Sequence, residues 1–114
     1  CSHANMQNIK GAQTHMQGAK LIGTKLEGAD LSGARLDNVN FEDAGLQTAN
    51  LSRANLKGAN LNRADLRGAN LRYVVGLTRE QIENSLLDKT TLLPHYLKIK
   101  WATETSFEIL DNKN

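Results

Sequence analysis

The chain has 114 residues, with 14 Lys and Arg against 12 Asp and Glu, three His, one Cys and 4% aromatic residues. That length fits one domain, and a net charge of +2 gives no strong field for nucleic acid or acidic lipid. A single Cys excludes an internal disulfide and any zinc site of several thiolates, and no apolar run approaches the roughly 20 residues that a membrane-crossing helix needs.

In chain order, residues 1–3 form an N-terminal segment. Cys1, followed by Ser2, His3 and Ala4, resembles the first residue of a mature bacterial lipoprotein. Read that way, Cys1 is a lipidation site, the chain touches a membrane only through it, and the location is the periplasm or envelope. Read as an ordinary residue, Cys1 implies no membrane contact, and the location is cytoplasmic.

From residue 4 to residue 73 the chain repeats every five residues. Met6, Met16, Leu21, Leu26, Leu31, Leu36, Phe41, Leu46, Leu51, Leu56, Leu61, Leu66 and Leu71 occupy the block centre, and Gly11 alone breaks the column. Two positions earlier stand small or β-branched residues, mostly Ala; the other three positions are polar, charged or Gly. A spacing of five fits neither a helix face nor a strand face, so the chain must turn a corner in every block. Gly at the last position of many blocks permits such corners, and Asn or Asp just before the centre can bond nearby backbone.

Blocks such as Ala54-Asn55-Leu56-Lys57-Gly58 and Ala64-Asp65-Leu66-Arg67-Gly68 resemble the pentapeptide repeat family, whose pattern is A-(N/D)-L-x-x. The resemblance implies an all-β solenoid, a right-handed quadrilateral β-helix of about three and a half coils, with the central residue and the one two before it pointing inward. Residues 20 apart then stack at about 4.8 Å. Gly11 is expected to leave a central inner position empty, with Ile9 as the residue to fill the space. Thr14 and Thr24 must find carbonyl partners, and Phe41 beside Val39 is expected to force a local bulge.

Residues 74–114 read as a C-terminal capping helix and tail. Thr78-Arg79-Glu80-Gln81 is a capping box that opens a helix through about Leu87, with Leu77, Ile82, Leu86 and Leu87 on one face. The stretch 76–94 also resembles the G-L-T-x-E-Q-L and L-P tail that follows the repeats in this family. Leu97, Ile99 and Trp101 alternate with Lys98 and Lys100 as in a short strand, and Phe107, Ile109 and Leu110 form a last apolar cluster. Tyr96, Trp101 and Phe107 are expected to complete the cap or pack along the shaft, the alternative being a dimer or partner surface.

No catalytic constellation assembles from these residues. His3, His15 and His95 are scattered, no metal or phosphate motif is present, and no cofactor and no enzyme activity are expected. Charge is uneven: residues 24–48 carry two bases against five acids, and residues 49–73 carry five bases against one acid. Arg53, Lys57, Arg63, Arg67 and Arg72 are therefore the candidate partner-binding surface, spread as a belt over all four sides. A belt is a poor groove for nucleic acid. The expectation is a non-catalytic scaffold, monomeric or weakly dimeric, for an unidentified protein partner. The alternatives are a topoisomerase-binding mimic of duplex DNA, which the family resemblance suggests, and an envelope lipoprotein with a structural role.

Overall fold

The computed structural model describes residues 5–94 and, through their backbones, 98–101 and 107–110. Cys1, His3, His95, Tyr96 and Leu97 lie outside the described residues, as do the side chains of Trp101 and Phe107, so the readings placed on them are not addressed by the structure.

The five-residue blocks wind into a solenoid. Parallel bridges join residues 20 apart in four columns: Asn5–Lys25–Gly45–Asp65, Lys10–Asp30–Asn50–Asn70, His15–Arg35–Asn55–Val75, and Lys20–Asn40–Asn60. Between neighbouring columns the chain turns a corner. In the block around Leu51, the Ala54 N–H donates to the Leu51 carbonyl at 3.0 Å, and Arg53 between them has φ 64°. This is a type II turn, whose third residue must be left-handed. The Asn50 side chain accepts from the Ser52 N–H at 3.1 Å, and the same two-residue reach recurs at Asn40, Asn55, Asn60, Asp65 and Asn70. The Asn and Asp residues thus hold the corners by side-chain bonds to backbone.

The inward set fills the interior. Every block centre from Leu21 to Leu71 is buried, and Ala29, Ala34, Val39, Ala44, Ala49, Ala54, Ala59, Ala64 and Ala69 lie among them. Each large centre contributes about 1.5–3 kcal/mol by removal from water, before chain entropy is subtracted. The first blocks are looser, with Met6, Ile9, Met16 and Ala19 only partly buried.

Two core expectations are corrected. At Gly11 the side chain that leans into the position is that of Leu31, stacked above it, and not Ile9: a Cβ there would lie 3.1 Å from Leu31 Cδ2. Thr14 stands beside it and donates to the Gly11 carbonyl at 2.7 Å. Phe41 forces no bulge; it is fully buried while its N–H reaches the Asn60 carbonyl at 2.7 Å and Asn40 keeps both bridges. The other small inward positions of that turn, Ala34 and Ala44, leave the ring room.

After Val75 the chain runs into α1 (Arg79–Glu83), opened by Thr78 as N-cap with both bonds of the capping box present. The helix is shorter than the expected span to Leu87. Leu77, Ile82 and Leu87 are buried, but Leu86 is exposed, because its backbone rejoins the Asp65 column as a further bridge. Leu92 does the same beyond Asn70. Gln81 Nε2 donates to the Leu56 and Ala59 carbonyls at 2.9 and 2.8 Å, fastening α1 to the repeats. The expected strand appears as β1 (Lys98–Trp101), and the apolar cluster as β2 (Phe107–Leu110), paired antiparallel with Ile99 opposite Ile109.

Candidate functional site

The stacking decides which outward side chains meet. Arg53 and Arg72 lie at one corner of the His15–Arg35–Asn55–Val75 side, and Lys57 lies at its other corner, because each turn flanks the block that follows or precedes it. Arg63 and Arg67 lie on the two corners of the opposite side, around Asp65. All five residues are exposed. They circle the shaft, as a belt requires, but their chemistry divides them.

Arg63 and Arg67 are neutralised by this chain's own acids. Arg63 Nε donates to Asp43 Oδ1 at 2.8 Å and its Nη2 to Glu42, and these bonds raise the guanidinium pKa above its usual value. Arg67 Nε donates to Asp65 Oδ1 at 2.8 Å, its Nη2 reaches the second oxygen, and Gln47 Nε2 adds a bond at 2.8 Å. Burial pushes the Asp65 carboxyl upward, yet the Arg67 and Gln47 bonds outweigh it and hold it below the ordinary 3.8.

Arg35, Arg53, Lys57 and Arg72 have no acidic partner among the described residues. Arg53 instead stands over the Tyr73 ring, 5.6 Å from its centroid, a cation–π contact between stacked corners. Residues 12–18, 32–38, 52–58 and 72–78, which build this side, carry four cations against Asp37, a balance of +3. Residues 22–28, 42–48 and 62–68, which build most of the opposite side, carry three cations against four acids, a balance of −1. At the upper end of the basic side Tyr73 is 62% and Val75 59% exposed. A cleft of about 150 Å³ opens at that corner, lined by Arg72, Tyr73, Leu93 and Pro94.

Arg35, Tyr73 and Val75 were not among the sequence-based candidates. Arg35 belongs to the acidic stretch when the chain is read linearly; only the spacing of 20 brings it beneath Asn55. Among the described residues no group of three or more His, Cys, Asp or Glu is placed to hold a metal ion, and no helix is long and apolar enough to cross a membrane.

A family model described as pentapeptide repeats matches residues 1–33, 14–51 and 49–75, in eight copies. No curated protein matches the chain. Among solved structures it is similar to a pentapeptide repeat protein from the cyanobacterium Cyanothece 51142, with 25% identity, a TM-score of 0.51, and coverage of 82% of this chain and 90% of the other. A pentapeptide repeat protein of the Arabidopsis thaliana thylakoid lumen shows 23% identity and a TM-score of 0.45, over 68% of this chain and 57% of that one. HetL of Nostoc sp. strain PCC 7120, involved in heterocyst differentiation regulation, shows 31% identity and a TM-score of 0.44, over 63% of this chain and 38% of its own length. The chain thus spans little more than half of the thylakoid-lumen protein and well under half of HetL.

Proposed function

The chain belongs to the pentapeptide repeat family, and from that premise we propose that it is a non-catalytic scaffold, a short rigid shaft that presents its outward side chains to a protein partner. In this reading the shaft is a right-handed, four-sided β-helix of about three and a half coils over residues 4–73. Residues 74–114 close its upper end, with α1 as part of the cover. The similarity in fold to the Cyanothece protein and the bridges at a constant spacing of 20 support that geometry.

The observation that carries the proposal is the division of labour in the backbone. Axial hydrogen bonds, at 2.6–3.0 Å from Met6 to Leu71, occupy the amides of successive turns with one another, so the outward side chains stand in fixed columns. Such an array offers positioned contacts to a partner surface. The duplex-mimic alternative requires a strongly negative rod, and the +3 side does not favour it.

Capture from native extract on the immobilised chain tests the proposal. A discrete protein retained by the parent and released by Arg35→Glu together with Arg53→Glu, variants that leave the melting temperature unchanged, is the expected result. Turnover in a substrate panel with no protein retained would overturn it.

A further inference from the structure

We infer that the side of the shaft bearing Arg35, Asn55 and Val75 receives an acidic polypeptide segment that carries an apolar anchor. The inference rests on the scaffold reading and adds the chemistry of the partner.

Three observations converge on that side. Its cations are Arg35, Arg53, Lys57 and Arg72, and none has a carboxylate partner among the described residues, whereas Arg63 and Arg67 are both held by acids of the shaft itself. An arginine already bonded to two carboxylate oxygens has little to offer an incoming anion; an unpaired one keeps its full fork of donors. Tyr73 and Val75 are more than half exposed at the upper edge of the same side, beside the cleft lined by Leu93 and Pro94. In most blocks the position of Val75 is held by a polar residue, as Asn55 and Arg35 below it show.

Charge and apolar surface together choose the partner. Nucleic acid would use the four cations but leave Val75 against a phosphate backbone, and four contacts are few for a strand held by counterion release. A polypeptide with Asp or Glu beside Phe or Leu uses both, placing carboxylates on the guanidiniums and the apolar side chain against Tyr73 and Val75. Arg35 and Val75 are two turns apart, about 10 Å, which three or four extended residues cover. So small a footprint belongs to the weak, transient class of interface.

Fluorescence anisotropy with the full chain tests this with three labelled probes: a short Asp/Glu peptide carrying one Phe, the same peptide with Ser for Phe, and single-stranded DNA of equal charge. The Phe-bearing peptide should bind best, and added salt should weaken it. Arg53→Ala, Arg72→Ala and Val75→Ser should each lower its affinity about threefold, and the two arginine changes together about tenfold, while Arg63→Ala leaves it unchanged. Equal loss in Arg63→Ala, no gain from Phe, or tighter binding of DNA would overturn the inference. If extract proteins are retained through this side yet the acidic peptide does not bind, the partner chemistry is wrong and the scaffold reading stands. Peptide binding with these variant effects upholds the inference even when no extract protein is retained, because only turnover with no protein retained overturns the scaffold reading.

Discussion

Each corner of the shaft demands a left-handed residue, and the chain meets that demand with Gly at some corners and with ordinary residues at others. Thr48 is the least suited, with a β-branched side chain at φ 58°. Left-handed geometry costs an L-residue about 1–2 kcal/mol, against about 0.5–1 kcal/mol for the entropy that glycine loses. Thr48→Gly should therefore stabilise the chain by about 0.5–1 kcal/mol, read as a rise in denaturant midpoint. Gly76 is the opposite case: φ is 81°, and a Cβ there would lie 2.8 Å from Lys57 Cα. Gly76→Ala should cost about 2 kcal/mol or more, seen as a lowered melting temperature. Asp65 brings a pH dependence with a definite sign. Its carboxyl is depressed in the folded chain, so its stabilisation is complete above the unfolded value of 3.8 and is lost as pH falls through the lower folded value. Asp65→Asn should flatten that acid limb in melts taken between neutral pH and strong acid.

Among the elements, α1 depends on one side chain. Gln81 closes the capping box through its Oε1 and satisfies the Leu56 and Ala59 carbonyls through its Nε2. Gln81→Ala removes all three bonds and leaves acceptors partly buried, so about 1–3 kcal/mol should be lost in chemical denaturation. Gln81→Glu keeps the capping bond but not the donor, and separates the two effects. The capping box was legible because its spacing is local. The helix end was not: Leu86 and Leu87 continue an apolar helical pattern, but the Leu86 backbone is claimed by the open edge at Ala64 and Leu66, with bonds of 2.8 Å each way. A ladder partner some 20 residues distant outweighed the local periodicity. The repeats themselves were readable because Leu at every fifth position admits no regular helix or strand. Which arginines stay available was not readable, since Arg63 meets Asp43 only through the winding, and Arg67 takes Asp65 two residues away.

At the scale of the molecule, the described residues share one continuous core and no block can stand alone, so stability is cooperative along the axis. Leu51 is fully buried, between Leu31 and Leu71 in its inner column. Leu51→Asp places a carboxylate there without a partner and should abolish the cooperative unfolding transition in circular dichroism. Because the bridges recur at 20, four blocks close one circuit. Gain of four blocks between Arg53 and Tyr73 would lengthen the shaft and leave both on the same edge. Insertion of a single block would keep every leucine inside while carrying Tyr73 and Val75 a quarter-turn around the axis, away from Arg35. Length variation in such a chain therefore has a phase: the interior tolerates any multiple of five, whereas a partner that spans several circuits tolerates only multiples of twenty.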